Sequence, residues 1–378
     1  MERCLAAFSS RSTERGQTYS FDDVYEKLSD NSVSPLLIVF SSDYDNFRLY
    51  ADLFSERFPD SQIIGTTSSY NHSSEGGSEK ALSAVAVYNG LECVGGVLEN
   101  AGLYPIRNIS RAQRAIAALN ISENETDNVC CLEFTAFCGC GTELVLDTLR
   151  CAAGGIDIPL IGCTAAARRG TERSYVSLNG KIYDDACVFM YIRNLCGRIS
   201  IIRENTFRNT EHFFRVTNVD CEKCRVYEIN GNPAAKYLAS LLGIGVSDLA
   251  ENITRHPIGR LYGDNIYISD ARAVIDYSAI EYYAHIYNYS RAVLLAPDNV
   301  RSFTDSFFTK LKNTGFSPSF SFAVNCALDQ GIYSDKGFSA SMTERLTREA
   351  GCFSGVSGLG EQTGYLHLNK TMVLAAFE

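Results

Sequence analysis

The chain has 378 residues, enough for two domains of ordinary size, and 46% hydrophobic and 21% charged residues describe a globular protein with a core, not a disordered chain, a collagen or a coiled coil. With 44 Asp and Glu against 34 Lys and Arg, the formal net charge is −10. No Lys/Arg run longer than Arg168-Arg169 offers a basic field to a polyanion, so nucleic acid is not expected as a partner.

In chain order, the N-terminal stretch from Met1 turns polar at Ser9 before a signal-peptide core forms. The longest unbroken apolar runs, such as residues 36–40, are strand-sized, and residues 81–98 are interrupted by Asn89, Gly90 and Glu92. No membrane insertion is expected, and a cytoplasmic location follows as an expectation. The 14 cysteines are then expected as reduced thiols. Most sit in apolar runs, as Cys130, Cys131 and Cys187 do, where free cysteine packs as a small hydrophobe.

Residues 36–40 read as a buried strand ending in Ser41-Ser42-Asp43. Phe47, Tyr50, Ala51, Phe54 and Phe58 then recur at the spacing of an amphipathic helix, which Pro59-Asp60 breaks. Residues 62–69 form a second strand running into a turn at Gly65-Thr66-Thr67. The order returns with a strand at 129–134, a helix carrying Glu143, Leu144, Leu146 and Leu149, and a strand that runs into Gly162-Cys163-Thr164. Gly162 lies 97 positions after Gly65 (162 − 65), and apolar strands follow each at 82–88 and 186–191. These units predict an internal duplication within the first 200 residues.

A looser third copy closes the chain, with a strand at 321–326, a helix at 341–349, a Gly/Ser turn at 353–358 and a strand at 371–377. Before it, residues 213–219 and 225–230 alternate as a hairpin around the tip Cys221-Glu222-Lys223-Cys224. Asn232 reads as the N-cap and Pro233 as the first position of a helix that ends on Gly243. The expected fold class is mixed α/β: duplicated strand–helix–strand units forming an N-terminal domain, residues 1–200, and an α+β C-terminal domain, residues 201–378.

Taken in this order, Leu37-Ile38-Val39-Phe40-Ser41-Ser42, Ile63-Ile64-Gly65-Thr66-Thr67, Ile161-Gly162-Cys163-Thr164, Val226-Tyr227-Glu228-Ile229-Asn230-Gly231-Asn232-Pro233-Ala234, Asn325-Cys326 and Gly360-Glu361 resemble the FIST family over nearly the whole chain. The resemblance implies a FIST N-like domain over residues 1–200 and a FIST C-like domain over 201–378. It also implies a sensory module that binds a small molecule, an amino acid among the candidates, and relays to a separate signalling protein. Without a kinase, cyclase or methyl-accepting segment before Glu378, a stand-alone sensor is expected. The chain departs from the family's pattern. Gly-Glu often follows the Gly-[Cys/Thr]-[Ser/Thr] turn in members, but Ser69-Tyr70 and Ala166-Ala167 stand here and only Gly360-Glu361 keeps it. Leu328-Asp329 follows Cys326 where members often have an Arg, which implies a different ligand.

Small-residue turns at the ends of parallel strands are where open α/β sheets take ligands, because the backbone can approach and helix N-termini offer N–H groups to a carboxylate or phosphate. The candidate ligand-binding residues are Ser41, Ser42, Asp43, Gly65, Thr66, Thr67, Gly141, Thr142, Gly162, Cys163 and Thr164. Asn325, Cys326, Gly360 and Glu361 join them from the late motifs. The same residue types also make tight turns and helix caps. Glu361, after Gly358-Leu359-Gly360, reads as a carboxylate for a ligand ammonium or as a solvated loop charge.

Cys221 and Cys224 invite a metal or redox alternative, although no second C-x-x-C or H-x₃₋₅-H completes a zinc site. Convergence of Cys130, Cys131, Cys138, Cys140 and Cys163 around the second copy is its sharper form. The five histidines are scattered, and no G-x-S-x-G, Walker loop or G-x-G-x-x-G with a distal acid is present. The chain is therefore not expected to be an enzyme and no cofactor is expected. A cysteine nucleophile beside a histidine in space leaves a thiol-dependent enzyme as the third reading.

Overall fold

Strands at Leu37–Ser42 and Val129–Thr135 are buried along their whole length, which a sheet permits only when both faces are covered. The computed structural model shows what covers them. It describes residues 3–10, 19–29, 33–100, 104–123, 126–136, 141–168, 171, 173–263, 265–329 and 336–378.

A first unit runs β1 (Cys4–Ser9), α1 (Tyr19–Leu28), β2 (Leu37–Ser42), α2 (Phe47–Arg57), β3 (Gln62–Thr67), a hairpin of β4 (Asn71–Ser73) and β5 (Gly76–Ser78), and β6 (Leu82–Val87). The second repeats that order as β7 (Leu91–Glu99), α3 (Pro105–Ala118), β8 (Val129–Thr135), α4 (Thr142–Ala153), β9 (Leu160–Thr164), the hairpin β10 (Val176–Leu178) and β11 (Lys181–Tyr183), and β12 (Ala186–Asn194). The third opens with β13 (Ile199–Asn205) and is interrupted by a lobe. That lobe comprises β14 (Phe207–Asp220), β15 (Arg225–Ile229), β16 (Asn232–Pro233), α5 (Ala234–Leu242), α6 (Leu249–Asn252), β17 (Ile258–Tyr262), β18 (Asn265–Ser269), β19 (Ala271–Ile275), β20 (Ala279–Tyr282) and β21 (Arg291–Pro297). The unit then resumes with α7 (Val300–Lys312), β22 (Phe320–Cys326), α8 (Lys336–Glu349), β23 (Cys352–Gly358), the hairpin β24 (Gly360–Thr363) and β25 (Leu366–Leu368), and β26 (Thr371–Phe377).

Each unit keeps four strands in its own sheet, in the orders β1-β6-β2-β3, β7-β12-β8-β9 and β13-β26-β22-β23. Each gives its hairpin to another: β10–β11 extends the first sheet on β3, β24–β25 the second on β9, and β4–β5 the third on β23. The exchange is cyclic. Backbone hydrogen bonds follow the same circuit, from the Ala166 N–H to the Thr67 carbonyl (2.9 Å), Leu359 to Thr164 (2.8 Å) and Ser69 to Ser357 (3.0 Å). The mixed α/β class is as expected, and the third copy completes a ring of three.

The inner faces of the three sheets meet in one core that includes Val39, Val85, Leu132, Val188, Phe322 and Val373. Each outer face is covered by its unit's two helices. Phe21 and Val24 of α1 and Phe47, Tyr50 and Phe54 of α2 cover the first, Ala112, Ile116, Val145 and Leu149 the second, and Phe303, Phe307, Met342 and Leu346 the third. Each such aromatic or aliphatic side chain contributes about 1.5–3 kcal/mol by leaving water. At one end the central core leaves an apolar cavity of about 20 Å³ between Leu37, Val87, Cys130, Ile192, Phe320 and Phe377. It is too small for a metabolite and has no polar wall. The lobe has a core of its own, with Val226, Ile229, Leu238 and Ile280.

Two local expectations shift. Pro233, not Asn232, is the N-cap of α5, because its ψ of 125° is extended and Asn232-Pro233 pairs with β15 as a short strand. The Gly65-Thr66-Thr67, Gly162-Cys163-Thr164 and 353–358 segments are strand rather than turn, since their backbones complete parallel ladders with β2, β8 and β22.

Candidate functional site

Pairing brings Gly65, Gly162 and Gly355 to the same position in their three sheets, each with a bulky group lying across it. Through Gly65 the row reads Ala84, Phe40, Gly65, Ser177. Through Gly355 it reads Leu374, Ala323, Gly355, His72. Through Gly162 it reads Phe189, Glu133, Gly162, Gln362, His367. A Cβ at Gly65 would lie 2.2 Å from the Phe40 ring, at Gly355 2.2 Å from His72 Nε2, and at Gly162 2.3 Å from Glu133 Oε1. The glycine makes room for a neighbour's side chain, and only in the second unit are the groups around it mostly polar.

Above that row stands the first turn of α4, whose N-cap is Gly141. Thr142 Oγ1 lies 3.2 Å from Thr164 Oγ1, which also accepts from Gln362 Nε2 at 2.9 Å. Glu133 is fully buried; its Oε2 accepts from Thr135 Oγ1 (2.8 Å) and Cys187 Sγ (3.5 Å). Among the described residues its Oε1 has no hydrogen-bond partner, and neither do Gln362 Oε1 and Glu143 Oε2. Burial pushes the Glu133 carboxyl up to about 8, against the pull of those two donors. Glu143 goes the other way. Burial alone would raise it, but His367 (Nδ1 3.5 Å from Oε1) and His285 (Nε2 3.8 Å from Oε2) outweigh burial and hold it down at about 2.

The lobe closes this end of the unit. The His285 backbone N–H donates to Glu143 Oε1 at 2.5 Å. Arg260, 2% exposed, donates through Nη1 to the His285 carbonyl (2.9 Å) and through Nη2 to the His367 carbonyl. One guanidinium thus ties the lobe to a hairpin of the ring directly beside Glu143.

A family model of the FIST N domain matches residues 35–232, just over half of the chain. The chain belongs to the FIST family. FIST domains are sensory, signal-transduction domains. In this FIST protein the match begins beside β2, spans the second unit and ends at β16 of the lobe. No curated protein matches the chain.

The residues marked out in the sequence fall at the C-terminal ends of the parallel strand pairs of all three units. Gly141, Thr142, Gly162, Cys163, Thr164, Gly360 and Glu361 come together in the second. Glu361 is not in a loop: it is buried in β24 opposite Cys163, and its Oε2 accepts the Thr371 N–H at 3.1 Å. Ser41, Ser42, Asp43, Gly65, Thr66 and Thr67 gather in the first unit. There Asp43 Oδ1 accepts the backbone N–H of Asp45 (3.0 Å) and Asn46 ahead of α2, and Thr67 Oγ1 donates to the Ala166 carbonyl (2.8 Å). Asn325 and Cys326 end β22 in the third, with Asn325 Nδ2 2.9 Å from His72 Nε2. Burial lowers His72 to about 4.

Glu133, Glu143, Gln362, His367, His285 and Arg260 were not marked out. The usable signal was Glu133, the one charge inside the apolar run of β8.

Cys138, Gly139 and Cys140 lie outside the described residues, as do Met1 and Arg169. Cys130 and Cys163 face the central core, whereas Cys131 and Cys187 face the helices, so strand alternation separates these thiols. Burial pushes Cys130 up to about 12 and raises Cys131, Cys163 and Cys187 well above the ordinary thiol value. Cys221 and Cys224 flank the turn between β14 and β15, with Cys224 buried. Among the described residues, no three His, Cys, Asp or Glu side chains are placed to hold a metal ion, and no helix is long and apolar enough to cross a membrane.

Proposed function

We propose that this FIST protein is a cytoplasmic sensor that binds a small zwitterion, an amino acid, at the polar end of the second unit, and relays the bound state to a separate signalling protein without catalysing a reaction. The observation that carries the reading is the concentration there of buried acceptors with no hydrogen-bond partner among the described residues: Glu133 Oε1 and Gln362 Oε1, together with Glu143 Oε2, which meets only His285 Nε2 at 3.8 Å. A ligand ammonium satisfies such acceptors, and the N–H groups of the first turn of α4 suit its carboxylate. The relay runs through Glu143. A ligand that draws on its carboxylate acts on the His285 and His367 contacts, and through Arg260 on the seating of the lobe.

A thermal-shift series against the amino acids and divalent metals tests this. A ligand that binds only the folded state raises the melting temperature, by about 2.7 kcal/mol of stabilisation at a hundredfold excess over Kd. Glu133→Gln and Thr164→Ala are expected to abolish the shift, and Ser42→Ala, in the first unit, to leave it intact. A shift that survives Glu133→Gln and Thr164→Ala would sink the site assignment; a shift with Zn²⁺ alone, lost to chelator, would replace the reading with the metal alternative.

A second reading, a thiol-redox module, is favoured by one contact. Cys4 Sγ and Cys352 Sγ lie 3.1 Å apart, joining β1 to β23. Intact-mass measurement after peroxide treatment is expected to show loss of two hydrogens, absent in Cys352→Ser.

A further inference from the structure

One edge strand of each ring sheet, β1, β7 or β13, receives no hairpin. β1 is buried almost throughout, whereas β7 is half-buried from Cys93 to Val97. There, between β7 and α3, lies an open groove of about 350 Å³ walled by Val94, Gly95, Gly96, Val97, Arg111 and Arg114. Arg107, Arg111 and Arg114 follow one another at i, i+4 and i+7, a single stripe along α3. Among the described residues none of the three has a carboxylate partner. Glu99, the acid at the groove, has Lys181 Nζ 3.9 Å away.

Among the described residues the strand edge is paired to no other strand, although two α3 side chains already take two of its carbonyls. The Val97 carbonyl accepts from Arg111 Nη1 (3.3 Å) and the Glu99 carbonyl from Asn108 Nδ2 (3.1 Å), so both point away from β12. Antiparallel pairing alternates the direction of successive residues, which turns the N–H groups of Gly95 and Val97 to the same open side.

We propose that this groove docks an extended acidic segment of a partner protein, which adds as a strand along β7 and sets its carboxylates on Arg111 and Arg114. Main-chain bonds to a free sheet edge supply affinity in this mode and alternate side chains supply specificity. Charge complementarity selects the occupant. The rest of the molecule repels an acidic chain, and the arginine stripe is spaced along the direction a strand would run. A single small anion would use one guanidinium and leave the strand edge idle. The surface does not depend on the amino-acid reading, since it shares no residue with the Glu133 site.

Fluorescence anisotropy of the full chain with a labelled peptide of alternating Glu and Val tests it, with a Lys–Val peptide and inorganic phosphate as comparators. The acidic peptide is expected to bind and to weaken with salt. The double charge reversal Arg111→Glu/Arg114→Glu is expected to weaken it about tenfold or more, with circular dichroism and melting temperature confirming the fold. Arg301→Glu, an exposed charge change elsewhere, and Glu133→Gln, which tests the ligand site, should bind the peptide as the parent does. Equal binding of the Lys–Val peptide, displacement of the acidic peptide by millimolar phosphate, or no binding by either peptide would each overturn the proposal.

Discussion

The first and second units of the ring put one backbone to opposite uses. In the first, the row through Gly65 is Ala84, Phe40, Gly65 and Ser177, and Phe47 of α2 stacks on Phe40 with ring centroids 5.4 Å apart. The group over the glycine is aromatic there, and polar groups nearby serve structure: Tyr44 Oη donates to Tyr175 Oη at 2.8 Å, and Thr67 ties the unit to its neighbour. In the second, the equivalent row holds a carboxylate, an amide and an imidazole, and the lobe rests on it. The glycine is common to both because a large side chain from an adjacent strand must lie over it. Only the chemistry of the covering group differs. Burying Phe40 stabilises the fold, whereas burying Glu133 with an unpaired oxygen costs. A buried carboxyl group with an unpaired oxygen in one glycine row of three is what a binding site looks like in a repeated scaffold.

Glu133 should dominate any measurement of that difference. Its carboxyl is raised from the ordinary 4.5 to about 8 in the folded chain, so between these values the unfolded chain is ionised while the native chain is not. Stability is therefore expected to fall as pH rises from 4.5 to 8, by about 5 kcal/mol in total from this group. Glu133→Gln removes the slope. Urea denaturation should find the variant far more stable than the parent at pH 9 and equal to it near pH 4; parallel pH profiles would contradict the assignment.

The third unit supplies a smaller effect of opposite sign. His72, lowered from 6.5 to about 4 by burial, is neutral in the fold, so its contribution is lost as pH falls from 6.5 through 4, about 3 kcal/mol in all. Between pH 4.5 and 6.5 the two slopes oppose each other, so His72→Gln is expected to let stability climb as pH falls through that window and to leave the profile above pH 7 unchanged. If the variant follows the parent below pH 6.5, His72 is not the group responsible.

Much of this scaffold was legible because it is written locally. The face Phe47, Tyr50, Ala51 and Phe54 of α2, the strand at 129–134 and the 97-residue spacing of Gly65 and Gly162 follow from short-range periodicity, and all three describe real elements. The cyclic hairpin exchange was not legible, because pairing β24 with β9 joins residues about 200 apart in sequence and leaves no periodic trace. For the same reason Gln362 and His367 could not be assigned to the second unit. Glu361 misled for a different reason: Gly358 and Gly360 flank it as in a loop, but they are small because Thr164 and His367 press against them. Glu133 was visible as a charge in an apolar run and was read as strand alone.

The smallest expected effects separate a structural threonine from a threonine of the proposed site. Thr67 Oγ1 donates to the Ala166 carbonyl and accepts the Tyr175 N–H at 3.1 Å, so one hydroxyl fastens the first unit to the loop that leads into the exchanged hairpin. Thr67→Val keeps the shape and removes both bonds, leaving a buried N–H unsatisfied; a loss of about 1–2 kcal/mol is expected in urea denaturation. Thr164 Oγ1 instead accepts from Gln362 Nε2 and faces Thr142, inside the proposed site. Thr164→Val should cost a similar amount of stability, because Gln362 loses its acceptor, but it should also remove the amino-acid shift that Thr67→Val retains. Two isosteric changes at equivalent strand ends, equal in stability and unequal in binding, would distinguish the ring's fastenings from its receptor. Loss of the shift in both would mean instead that the ligand depends on the closure of the whole ring.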